Sequence, residues 1–136
     1  MKVRRLFLGI LALGLSLLCG CMVPQDTSGV VVVNSRLYVY NPAFAVNVAF
    51  VQDAIKRTPE GFLQVQTTVQ STNRDDWHCQ YRFVWFDMNG MMQTHAPSPW
   101  RPCVLHGAQT TVLEVVSPLR DAGSFRLEIR PGEDWR

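Results

Sequence analysis

The stretch FLQVQTTVQST, residues 62–72, decides the fold. Leu63, Val65, Thr67 and Val69 fall on one side of an extended chain, and Gln64, Gln66, Thr68 and Gln70 on the other. Strand side chains alternate between faces, so this pattern marks a strand with one dry face and one wet face. A helix, with its 3.6-residue period, would mix the glutamines into the apolar side. The next run, CQYRFVWFD (79–87), puts Cys79, Tyr81, Phe83 and Trp85 on one face and Gln80, Arg82, Val84 and Phe86 on the other. Apolar groups on both faces predict a central strand, or one covered on its second face. In SFRLEIR (124–130), Phe125, Leu127 and Ile129 point inward while Arg126, Glu128 and Arg130 point outward.

The remaining segments extend the pattern. VVVNSRLYVY (31–40) is rich in β-branched and aromatic residues and reads as one strand, ended by Asn41-Pro42. AFAVNVAFVQDAIKR (43–57) alternates Val46, Val48 and Phe50 against Asn47 and Ala49; strand is favoured over a helical turn at 51–57. Turns are marked by Pro59-Glu60-Gly61, by Asp87-Met88-Asn89-Gly90 and by Gly107, and residues 73–76 form a polar loop. A loop with Pro97, Pro99 and Pro102 leads to a short run at 103–105, and QTTVLEVV (109–116) follows. Six or seven short strands separated by turns fit an all-β sandwich, here over residues 30–131, with a charged tail at 132–136. The sequence has no internal repeat.

The first residues predict location. Lys2, Arg4 and Arg5 precede an uncharged apolar run at 6–18. At thirteen residues the run is shorter than the roughly 20 that span a bilayer. This is the pattern of a helical export signal that is cleaved, residues 1–20. Leu18-Cys19-Gly20-Cys21 resembles the bacterial lipobox, which makes Cys21 the lipidated first residue of the mature chain. Cys19 stands where Ala or Ser is more common, and leaves with the signal. Residue 22 is Met rather than Asp, which favours the outer membrane, facing the periplasm. Residues 21–29 are then the lipidated cysteine and a short tether. Without the three N-terminal cations the chain has 10 basic and 11 acidic residues, too near neutral for a nucleic-acid binder.

Five segments, VNSRLYVYNPAFA, GFLQVQTTVQSTN, YRFVWFDMNGM, SPWRP-x-x-LHGAQT and VVSPLRDAGSFRLEIR, together resemble the YcfL-like family of bacterial envelope lipoproteins. The resemblance covers roughly residues 32–130. It implies an immunoglobulin-like β-sandwich in the cell envelope and assigns no catalytic or ligand-binding residue, because the family's function is unknown. Positions 79 and 103 are usually apolar in that family, so the cysteines here are a departure.

Cys79 and Cys103 are the thiols left after processing, and an even pair in an oxidising compartment is most simply a disulfide. Two separate buried thiols are the alternative. A zinc site with His78 and His106 is disfavoured, because His78 and Cys79 are neighbours on a strand and point to opposite faces. Met88, Met91, Met92 and His95 offer soft donors suited to Cu(I), although methionines packing a loop explain them more simply. With Trp100 these residues form a candidate interaction loop. Trp85 is expected in the core, and Trp77 and Trp100 partly covered over the sandwich ends. No nucleophile elbow, H-E-x-x-H or phosphate-cradling loop occurs, so no catalytic residue, metal or cofactor is assigned. The expected function is a lipid-anchored, non-catalytic binding or accessory module, held to the membrane and contacting an envelope protein or cell-wall component. A copper-binding lipoprotein and an enzyme without a recognisable site are the alternatives.

Overall fold

The computed structural model describes residues 29–133. The signal segment, Cys19, Cys21, the tether up to residue 28 and Trp135 lie outside the described residues. Eight strands and one short helix follow in order: β1 (Val30–Asn34), β2 (Leu37–Tyr40), α1 (Pro42–Ala45), β3 (Val48–Arg57), β4 (Leu63–Ser71), β5 (Trp77–Asp87), β6 (Arg101–Leu105), β7 (Thr110–Val116) and β8 (Ala122–Pro131). They form a five-stranded sheet ordered β1-β2-β8-β5-β6 and a three-stranded sheet ordered β3-β4-β7. The chain is thus an all-β, immunoglobulin-like sandwich. Its neighbours pair antiparallel except β2 with β8, which run parallel.

The alternation in the sequence sets which residues line the core. Leu63, Val65, Thr67, Val69 and Ser71 of β4 are buried, whereas Gln66 is exposed. Phe83 and Trp85 of β5 stack with ring centroids 6.1 Å apart, and Phe83 meets Phe125 of β8 at 5.8 Å. Leu37, Val39, Leu127 and Ile129 complete the large sheet's inner face, each fully buried. Burial of one such side chain contributes about 1.5–3 kcal/mol. β5 is the central strand its two apolar faces predict, bonded to β8 on one side and β6 on the other.

Two expectations are corrected at the N-terminal end. Residues 31–40 form a hairpin rather than one strand. The Asn34 side-chain oxygen accepts hydrogen bonds from the Arg36 and Leu37 amides at 2.8 and 2.7 Å, which closes a turn inside a β-branched run. This raises the strand count to eight. Likewise, residues 42–45 are a helical turn. Asn41 caps it by accepting from the Ala43 amide at 3.0 Å, and Pro42 stands at its start, where a missing N–H costs nothing. The turn buries Phe44 and Ala45 and leaves Val46 75% exposed, so the alternation begins only at Val48. At the other end β8 closes at Pro131, and the Gly132 amide still bonds the His78 carbonyl at 2.9 Å.

The register gives the sandwich two distinct ends. Val30 pairs with Tyr40, and Gln80 pairs with Arg130, so the chain enters the body at the end carrying these residues. The turn after Asp87 leaves β5 at the opposite end. Eleven extended residues separate the ends by about 35 Å.

Candidate functional site

The outer face of the large sheet carries a layer of charged and aromatic side chains. Cross-strand pairing sets Glu128 of β8 beside Tyr38 of β2 and Arg82 of β5. Glu128 is only 1% exposed. Its Oε2 accepts from Arg82 Nε at 2.7 Å and from the Tyr40 hydroxyl at 3.2 Å; its Oε1 accepts from Arg126 Nε at 2.9 Å and Nη2 at 2.6 Å. A carboxylate held by two guanidiniums offsets much of the cost of leaving water. The outward direction of residues 126, 128 and 130 is as the alternation predicts, but Glu128 is covered rather than solvated. Its one signal in the sequence is R-x-E-x-R, an acid between two bases on the same strand face.

Trp100 covers this layer. The proline-rich segment before β6 is tied to β5 by the Ser98 hydroxyl, which donates to the Phe83 carbonyl, and delivers the indole over β5. Arg82 and Arg130 lie 4.5 and 4.2 Å from the Trp100 ring centroid, and the Tyr40 ring meets it edge-on at 5.9 Å. Arg130 Nε donates to Gln80 Oε1 at 2.8 Å, and Arg126 lies over the Tyr38 ring at 4.7 Å. Cations over aromatic faces are attracted by the ring quadrupole. Trp100 is therefore separated from the methionines it was grouped with, and works as part of this cover.

The methionines form the tip of the turn after β5. Asp87 Oδ1 accepts from the Asn89 and Met91 amides at 2.8 and 2.9 Å, and Gly90 takes the positive φ of 81° that the turn needs. Met88, Met91 and Met92 are 74, 67 and 46% exposed. Met88 Sδ lies 3.6 Å from an Arg57 nitrogen on the small sheet, while Met92 bridges to Phe86 on the large one. A guanidinium therefore stands beside the Met88 sulfur, which opposes Cu(I) coordination there. His95 is exposed. Among the described residues no group of three or more His, Cys, Asp and Glu side chains converges as a metal site.

Cys79 and Cys103 face each other across β5 and β6, with Cα atoms 5.2 Å apart, and are joined as a disulfide. His106 instead pairs through Nδ1 with Asp76 Oδ2 at 3.0 Å, and the Gly107 amide donates to Asp76 Oδ1 at 2.9 Å. The amide and the imidazole hold the Asp76 carboxyl below the ordinary aspartate range, against a smaller opposing effect of desolvation. Trp77 is half-buried and meets Phe44 edge-on at 5.7 Å, and Trp85 is in the core. No described helix is long and apolar enough to cross a membrane.

These features define an immunoglobulin-like sandwich with one stapled edge and a self-covered outer face. The family described as "Protein of unknown function (DUF1425)" matches residues 35–131, and the chain belongs to that family. The crystal structure of a DUF1425 family member from Shewanella sp. PV-4 is 27% identical, with 65% of this chain and 79% of that one covered and a TM-score of 0.54. The crystal structure of Campylobacter jejuni cj0090 is 20% identical, covering 61% of this chain and 85% of that one at a TM-score of 0.55; this likeness shows the fold. No curated protein matches the chain.

Proposed function

We propose that the protein is an exported, lipid-anchored, non-catalytic binding module of the bacterial cell envelope, in the YcfL-like branch of its family. The observation that carries this reading is the bonded pair Cys79–Cys103. Structural disulfides persist in oxidising compartments, and the export pattern of residues 1–20 supplies the route to one. Cys21 is the anchor, and Met22 in place of Asp favours the outer membrane. An eight-residue tether reaches at most about 29 Å, so the body stays near the lipid.

The two ends of the sandwich then differ in role. The chain enters at the Tyr40 and Arg130 end, which faces the anchor. Met88, Met91 and Met92 occupy the opposite end and face away from the membrane, with their flexible thioethers available to an envelope protein or wall component. The cysteines are bonded to each other and Glu128 is neutralised by its arginines, which supports binding over catalysis.

Metabolic labelling with a lipid precursor tests the anchor. Cys19→Ala should keep the label and Cys21→Ala should lose it; label surviving the second change sinks the anchor. A photocrosslinker placed at Met91 in the full chain should give a discrete adduct with an envelope component. If adducts form equally from a control position on the outer face of β4, the tip is not the contact.

A further inference from the structure

The four sheet edges are not alike. β1 is five residues long with a register break between Val32 and Asn34. β6 is equally short and contains Pro102. β3 has a break between Phe50 and Gln52, ends in Lys56-Arg57, and has Asp53 tied to Arg36 at 2.8 Å. Short length, bulges, proline and charge are the devices that stop a second chain from pairing with an edge. β7, TTVLEVV, has no such break in its register with β4, no proline and no basic residue.

Its bonding pattern leaves a row of backbone groups turned outward. The Ser71 amide bonds the Gln109 carbonyl at 3.1 Å, and the Ser117 amide bonds the Leu63 carbonyl at 2.7 Å. Antiparallel pairs alternate between bonded and non-bonded, so the odd-numbered residues of β7 bond β4. Thr110, Val112, Glu114 and Val116 therefore present N–H and C=O to the open side, where no described residue meets them. Their side chains are exposed, Val112 at 58% and Val116 at 46%. Beside the edge lies a groove of about 150 Å³, with Phe83, Pro97, Val115 and Pro118 on its apolar walls and Arg82 and Arg101 among its polar ones.

We propose that the free edge of β7 takes an extended segment of another protein as an added strand, one that alternates basic and apolar residues. The outward backbone groups repeat every second residue, and only an extended backbone matches that spacing. Strand alternation then sends one set of incoming side chains over the Val115 and proline wall of the groove, where apolar groups fit and the arginines disfavour cations, and the other beside Val112, Glu114 and Val116. Glu114 is the only charged residue of β7, and a basic side chain complements it. A second copy fits less well. Paired antiparallel over its full length, β7 sets Val112 opposite Glu114 of the copy, which brings two carboxylates to neighbouring pairs on one face.

Amide hydrogen exchange of the full chain in detergent micelles tests this, with a short peptide of alternating lysine and valine as the probe. The peptide should slow exchange at Val112, Glu114 and Val116. The corresponding glutamate–valine peptide should bind about fivefold more weakly, and Glu114→Lys should reverse that preference. Val112→Pro removes an outward N–H without touching a bond to β4, and should end protection at Glu114 and Val116. Should that variant fail to fold, a backbone N-methylated peptide asks the same question of the native chain and should give no protection. Three results overturn the proposal: no protection by the lysine–valine peptide at millimolar concentration, equal protection by the N-methylated peptide, or protection of these amides without peptide on self-association, which assigns the edge to a second copy.

Discussion

Two surfaces of the sandwich each carry a glutamate in a row of strand residues, and they behave in opposite ways. On the large sheet Glu128 is buried beneath Arg82, Arg126 and Tyr40, with Trp100 laid across Arg82 and Arg130. On β7 Glu114 stands in solvent, bonded to Gln64 and Gln66 of its own sheet, while the backbone beside it has no described partner. The large sheet's outer face concentrates the side chains that most resemble a site, and their hydrogen bonds are satisfied within it. The β7 edge is bland in residue type, yet it offers unfilled donors and acceptors in a fixed repeat. In this protein availability, rather than chemical distinctiveness, marks the surface open to a partner.

The largest expected effect probes the closed surface. Glu128→Ala leaves two guanidiniums without their carboxylate and should cost about 3 kcal/mol in urea denaturation. That is the low end of the range for a broken buried pair, because Arg82 and Arg126 are 31 and 22% exposed and still reach water. Glu114→Ala should leave the denaturation midpoint where it is. Equal losses from the two substitutions would erase the contrast between the surfaces.

The staple comes next. Cys79 and Cys103 are 24 residues apart in sequence, and removing their bond with Cys79→Ala/Cys103→Ala should cost up to about 3.5 kcal/mol in the chain-entropy account. The bond joins β5 to β6, so exchange at the β7 amides should be unchanged in the folded state. Faster exchange confined to β6 and the strand beside it would sharpen the division between the sheets. Equal acceleration along β7 would show that the two edges are coupled.

The dry faces of the strands were legible because alternation reports burial directly: Leu63 to Val69 on β4, Phe83 and Trp85 on β5, Phe125 to Ile129 on β8. Alternation reports direction only, however. It turned Glu128 outward without revealing Trp100 and the arginines above it, since a third layer is built from residues distant in sequence. The hairpin at 31–40 was hidden because one side chain, that of Asn34, makes its turn. The opposition of Cys79 and Cys103 depends on register, and the openness of β7 on strand order, neither of which spacing encodes. Gly107 read as a turn residue, but its reason is close approach. A Cβ there would lie 1.8 Å from the Arg74 carbonyl oxygen.

That close approach leads to the smallest expected effect. The Gly107 amide and the His106 ring dock the turn before β7 onto Asp76 of the loop before β5, and the Ala108 amide bonds the Asn73 carbonyl at 2.7 Å. Together these contacts fix where β7 begins. The Asp76 carboxyl is held below its ordinary value by the Gly107 amide first and by His106 second. A depressed folded-state pKa means that the unfolded chain takes up the proton more readily. The stabilisation is therefore complete above the unfolded pKa, about 3.9, and is lost as pH falls through the lower folded value. Asp76→Asn should lower the urea midpoint slightly at pH 6, and the gap from the native chain should close on acidification below about pH 4. If the gap persists undiminished below that window, the ionised carboxylate is not what ties the turn. If Thr111 and Leu113, whose amides bond β4, exchange faster in Asp76→Asn at pH 6 while the amides of β8 do not, the brace is what keeps the open edge straight, and the contrast with the self-covered sheet extends to how each surface is held.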